Sequence, residues 1–269
     1  MLTAESPVLD VLALSPIDRY KALVKFQMEG RVDFMASKGR CQNCVLRESF
    51  CVCSKLGNLE MHASDLDFTV VVLMNQREKY RSSNTAKVIE KILNAKIFID
   101  GLDDDFIEFQ KLVSENLNNC FVLFPSEDAL DFPSFARNEK ASCSSRLDSR
   151  KTLIIVVDGT WRQARRLNQK ISPSIPRVKI MPTTLSKFLC RRQTQADRVC
   201  TIEALSLLLL DMQKSQASRR LDEGLATLVQ GFNMQCYGST HRPASMLKDL
   251  PSGRSLPPPH PDTLVDPSS

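Results

Sequence analysis

A chain of 269 residues with 42% hydrophobic content suits one large domain, or one domain with a small appendage. No apolar run reaches the roughly 18 residues of a membrane helix, and "LSLLLLDM" (205–212), broken by Asp211, reads as a buried helix instead. The net charge of +5 is unevenly spread: ten Lys and Arg but one acid, Asp197, lie between Trp161 and Arg198, against 26 bases and 30 acids elsewhere. Such a segment suits a polyanion-binding surface; the alternative is a solvated basic face with no partner.

In chain order, residues 1–38 read as an N-terminal helical segment. Ser15-Pro16 starts its better helix, with Tyr20, Leu23, Val24 and Met28 at helical spacing. The acids Glu5, Asp10, Asp18 and Glu29 do not fit a secretory or transit peptide, so the expectation is a cytoplasmic or nuclear protein. Nine cysteines in such a chain suit a reducing compartment, where thiols serve metals rather than disulfides.

Residues 39–55 form a cysteine cluster in a loop-like stretch, and an α/β domain over 65–236 follows. Strands are predicted at "FTVVVLM" (68–74), "KIFI" (96–99), "CFVLFP" (120–125), "LIIVVD" (153–158) and "RVKIM" (177–181). Between them, helices are predicted at 83–95, 103–117 and 160–170, then at 201–214 and 218–236. "SCSSRLDSRK" (142–151) reads as a polar loop. Short apolar runs alternating with helices predict an α/β fold with a mainly parallel sheet and flanking helices. The stretch 237–269 is predicted to be a disordered tail, with seven of the fourteen prolines from His241 onward.

Cys41-x2-Cys44-x6-Cys51-x-Cys53 offers four thiolates within thirteen residues, enough to close a tetrahedral zinc site. Arg40 and Lys55 add positive charge that favours thiolates. No open coordination position is suggested, so such a zinc would be structural. A redox pair or unligated surface cysteines are the other readings. Cys120 and Cys190 sit in apolar contexts and read as core residues.

"LIIVVDGTWRQARRL" (153–167) runs from a strand through the lone Trp161 into a cationic helix. Open α/β sheets bind ligands beyond the carboxyl ends of their strands, where Asp158 stands. Gly159 permits a tight turn, Thr160 can cap the helix, and Trp161 offers a π face to a base. Arg162, Arg165 and Arg166 suit phosphate contacts. The plainer reading makes Asp158 an N-cap and Trp161 core filler.

These residues resemble the defining motif of the DTW-domain family. The cysteine cluster, "EKYRSSNTAKVIEKIL", "FVLFPSEDA" and "CTIEALSLLL" resemble further motifs of that family, in order, over roughly residues 39–236. Asn75-Gln76 stands where the family usually carries His-Pro, and Cys200 where it carries Ser. The resemblance implies a SPOUT-like fold with a trefoil knot. It also implies transfer of the 3-amino-3-carboxypropyl group of S-adenosylmethionine to N3 of a tRNA uridine, with methylthioadenosine released. Asp158 is then the candidate base or orienting group, with Trp161 beside it as the second catalytic residue.

The donor is expected against Phe124, Pro125 and Ser126, the Asp158 turn, and the helix start at Thr201, Ile202 and Glu203. Glu203 would meet the donor's amino group or cap its own helix. Ser83 and Asn84 would contact RNA or donor, or cap a helix, and Arg191 and Arg192 would extend the phosphate-binding surface. A SPOUT-like RNA methyltransferase, a non-catalytic zinc-containing RNA-binding protein, and an rRNA substrate are the rival readings. The oligomeric state is not read from the sequence.

Overall fold

The computed structural model describes residues 14–141, 151–182, 186–188 and 198–238, with the backbone alone at 139–141. The helix expected after Ser15 is long: α1 runs Pro16–Ser37, and Ser15 Oγ accepts from the Asp18 N–H. The cysteine stretch is less loop-like than expected, with a 3-10 turn at Glu48–Phe50 and a short α2 at Cys53–Gly57. Then come β1 (Phe68–Asn75), α3 (Gln76–Lys79), α4 (Ala86–Leu93), β2 (Lys96–Asp100) and α5 (Asp103–Glu115). They are followed by β3 (Cys120–Leu123), β4 (Leu130–Asp131), α6 (Phe132–Ala141), β5 (Thr152–Asp158) and α7 (Trp161–Gln169). β6 (Arg177–Lys179), α8 (Thr201–Asp211) and α9 (Ser215–Tyr237) complete the described strands and α-helices.

The six strands form one sheet in the order β2-β1-β5-β3-β6-β4, every pair parallel. Helices cover both faces, which is why β1, β3 and β5 are near-continuous apolar runs. Alternation sorts their side chains. Val70, Val72, Ile154, Val156, Phe121 and Leu123 join one cluster with residues of α4, α8 and α9. Val71, Leu73, Ile155, Val157 and Val122 join the other, with residues of α5 and α7. α9 lies close on the first face. A Cβ at Gly224 would fall 2.4 Å from an Ile92 methyl, and one at Gly231 would fall 2.6 Å from a Val52 methyl.

β4 and α6 were not expected from the sequence. The helix expected from residue 83 begins at Ala86, because 83–85 form the loop before it. Of the expected 142–151 loop only Lys151 lies within the described residues. The expected tail lies outside them apart from Tyr237 and Gly238, and Tyr237 is still helical. Among the described residues no helix is long and apolar enough to cross a membrane.

Candidate functional site

Alternation along β5 decides where its last residue points. Asp158 follows Val157 and therefore turns to the face of α4 and α8. It is only 4% exposed, and a carboxylate at that depth needs donors. Asn84 Nδ2 donates to one oxygen at 2.5 Å, and Thr201 Oγ1 donates to the other at 2.6 Å. Asn84 also accepts from the Ala86 N–H at 3.0 Å, and Thr201 is the first residue of α8. One carboxylate thus fixes the starts of two helices. The Asn84 amide thus holds the first N–H of α4 and the Asp158 carboxylate at once.

The turn after β5 is equally constrained. Thr160 Oγ1 accepts from the Gln163 N–H while Gln163 Oε1 accepts from the Thr160 N–H, a reciprocal cap on α7. Gly159 is needed for space rather than for an unusual φ, since its Cβ would sit 2.9 Å from Gln163 Cβ. The cap sets the direction of Trp161, which is half-buried, and the Arg198 guanidinium lies over its ring at 4.4 Å from the centroid.

A cavity of about 890 Å3 opens at this end of the sheet. Ser83, Asn84, Phe124, Pro125, Asp158, Trp161, Arg162, Arg165 and Thr201 all line it, so most of the residues singled out above meet there. Ser126, Ile202, Glu203 and Arg166 do not line it. Ile202 is buried in the core, and Arg166 is exposed elsewhere on α7. Arg191 and Arg192 lie outside the described residues. Glu203 is a capping group: its carboxylate accepts from the Cys200 N–H at 2.9 Å and from Ser186 Oγ and the Lys187 N–H at 2.6 Å.

Lys179, Met181, Phe188 and Arg198 also line the cavity and were not singled out in the sequence. Arg198 carried a usable signal, two residues before the "CTIEA" stretch in a basic segment. The basic surface is smaller than the charge count implies. Arg177 is buried and spends its guanidinium on the carbonyls of Asn168, Ile171, Ser172 and Ile175, and Lys170 pairs with Asp100. Cys200 lines the cavity too, and burial, then the Glu203 charge, pushes its thiol up, which disfavours the thiolate. Asn75, in place of the family's usual His, caps α3 by accepting from the Arg77 N–H.

The four ligand sulfurs of Cys41, Cys44, Cys51 and Cys53 lie within 4.8 Å of one another. The Cys41–Cys53 and Cys44–Cys51 pairs stand 3.6 and 3.7 Å apart. Four sulfurs at about 2.3 Å from one zinc would be about 3.8 Å apart, so the cluster fits that ion. Against burial, which raises it, the N–H groups of Cys44 and Asn43 help bring the Cys41 thiol down to about 7. Burial, then the neighbouring thiols, pushes Cys53 up. The cluster can hold a metal, and a cation is what would let all four sulfurs carry charge. Cys120, expected in the core, is buried in β3, and Cys190 lies outside the described residues.

A family model described as DTW domain matches residues 38–233, well over half of the chain. No solved structure matches it.

Proposed function

The chain belongs to the DTW-domain family, and from that premise we propose that it transfers the 3-amino-3-carboxypropyl group of S-adenosylmethionine to N3 of a tRNA uridine. The family is associated with tRNA-modifying enzymes. The finer reading is carried by one observation: an indole, a buried carboxylate and four cationic side chains line a single cavity of about 890 Å3. Ligand clefts span about 300–1,000 Å3, so there is room for a nucleoside donor beside an extruded pyrimidine.

If bound, the donor would supply an activated sulfonium leaving group: its bond to the aminocarboxypropyl carbon would break as that carbon bonds to uridine N3, methylthioadenosine would depart, and the N3 proton would pass to the Asp158 carboxylate or to water. The chain's own contribution is then placement. Phe124 and Pro125 wall the donor. Thr201, the first residue of α8, lines the same cavity and offers its hydroxyl oxygen there. Trp161 offers its ring to the base, while Arg162, Arg165, Lys179 and Arg198 take the flanking phosphates.

Asp158 organises this arrangement. Beyond the donors it holds, a carboxylate has lone pairs left to orient the uridine imide. Cys41, Cys44, Cys51 and Cys53 hold Zn2+ as a closed four-ligand site, so its contribution is to folding. The all-parallel sheet with helices on both faces is compatible with the SPOUT-like fold that the family resemblance implies.

The test incubates the purified protein with S-adenosylmethionine and tRNA lacking the modification, then analyses nucleosides and small products by mass spectrometry. Aminocarboxypropyluridine with methylthioadenosine is the expected pair. Methylated nucleoside with S-adenosylhomocysteine would make the protein a methyltransferase. Bound tRNA with neither product would make it a binding protein, and product only with rRNA would change the substrate.

A further inference from the structure

Lys87 is a lysine in an unusual place. It lies in the first turn of α4, yet it is 7% exposed, on a helix whose neighbouring residues Ala86, Val88 and Ile89 are fully buried. A buried ammonium is retained only where carbonyls or carboxylates replace its water. Its Nζ donates to the carbonyl of Cys44 at 3.2 Å and to the carbonyl of Arg81 at 2.6 Å. Those two carbonyls belong to different parts of the molecule. Cys44 is one of the four clustered cysteines, in a turn where Val45 takes a left-handed φ of 66°. Arg81 opens the loop that carries Ser83 and Asn84 into the cavity.

We propose that Lys87 is a positioning residue that couples metal binding at the cysteine cluster to the shape of the 81–85 loop. The coupling rests on the zinc reading above. The path is short and each step is a hydrogen bond: Cys44 to Lys87, Lys87 to the Arg81 carbonyl, that carbonyl to the Asn84 N–H at 3.0 Å, and Asn84 to Asp158. Charged donors bind carbonyls more strongly than neutral ones, and a buried one cannot be left half-satisfied. When the metal holds the sulfurs together, the Cys44 carbonyl is fixed. When it does not, the ammonium loses a fixed acceptor, and its hold on the Arg81 carbonyl, which also accepts from the Asn84 N–H at 3.0 Å, loosens. A cluster that takes no part in the chemistry thereby sets how well Asn84 meets the carboxylate.

Three proteins test this: wild type, Lys87→Met, which keeps the stem but removes the charged donors, and Lys87→Arg, which keeps donors. Zinc content is measured first, then amide hydrogen exchange over residues 81–85, then KM and kcat for tRNA. Lys87→Met should retain one zinc per chain yet exchange the loop amides about tenfold faster. It should raise KM for tRNA about tenfold while kcat changes less than about threefold. Lys87→Arg should recover most of the protection. Chelating zinc from the wild type should speed exchange in the same amides, and chelating it from Lys87→Met should add little.

Unchanged loop exchange in zinc-loaded Lys87→Met, or equal losses in Lys87→Met and Lys87→Arg, would overturn the coupling. If Lys87→Met fails to fold, wild type alone decides: loop exchange indifferent to chelation refutes it. The exchange readouts stand even where no uridine is modified, so failure of the enzymatic reading and failure of the coupling are told apart.

Discussion

Asn84 and Asp158, 74 residues apart in the chain, meet amide to carboxylate at 2.5 Å at the floor of the cavity. The contact joins the loop before α4 to the end of β5, and the same Asn84 amide caps α4. Removing it leaves a buried carboxylate oxygen short of a donor, a loss of about 1–3 kcal/mol. Asn84→Ala should therefore lower the unfolding free energy by that amount in urea titrations. If Asp158 chiefly organises, Asn84→Ala and Asp158→Asn should slow uridine modification to within about tenfold of each other. A near wild-type rate for Asn84→Ala beside a dead Asp158→Asn would assign proton transfer to Asp158 and remove the organising reading.

Gly159 and Gln163 make a second falsifiable contact. A methyl at Gly159 meets Gln163 Cβ at 2.9 Å, and the cap that orients Trp161 depends on Gln163. Gly159→Ala should cost about 1–3 kcal/mol through overpacking and the lost cap. Thr160→Ala, which removes the cap without crowding, should cost about 1 kcal/mol. Both should shift the emission of Trp161, the sole tryptophan. Wild-type stability and emission in Gly159→Ala would show that the turn tolerates a side chain.

Much of this was readable in the linear chain, for physical reasons. β1, β3 and β5 are buried on both faces, so their apolar runs are unbroken. The Thr160 and Gln163 spacing announces the start of α7. β4 was not readable because it is two residues long and its Leu130 is exposed. α6 hid behind Pro133, although Phe132 and Phe135 pack on Phe121 at 6.1 and 5.5 Å. The meeting of Asn84 and Thr201 on Asp158 depends on sheet order, which no local pattern encodes. Glu203 showed both a site acid and a capping acid in sequence, and only its three partners separate them.

Asp131 gives a pH dependence. The Ser134 N–H, donating at 2.8 Å at the start of α6, is the main cause holding its carboxyl below the usual value. A depressed folded pKa contributes stability above the unfolded value of 3.8, and this is lost as pH falls below it. Asp131→Ala should thus be less stable than wild type by about 1 kcal/mol at pH 7. In denaturant titrations the gap should begin to shrink below about pH 4, where the unfolded carboxyl takes up its proton, and close only as pH falls through the lower folded value. A gap that is constant from pH 7 to about pH 3 would mean that the carboxylate does not act through its charge.

Among the described residues, the basic segment divides into arginines that line the cavity and two, Arg166 and Arg177, that do not. Arg162 and Arg165 are exposed and line it, whereas Arg177 is buried against four backbone carbonyls. Counting charge treats them alike; burial does not. Arg162→Ala and Arg165→Ala should leave stability within about 0.5 kcal/mol of wild type. Each should weaken tRNA binding and reduce the slope of log affinity against log salt by about 0.7–0.9. Arg177→Ala should instead cost about 3 kcal/mol or more, because buried carbonyls lose their donor, with little change in salt slope for the folded fraction. Filter binding of tRNA across a salt series, paired with thermal unfolding, separates the two groups. A reduced slope in a fully stable Arg177→Ala would move Arg177 onto the RNA surface and contradict its place in the fold.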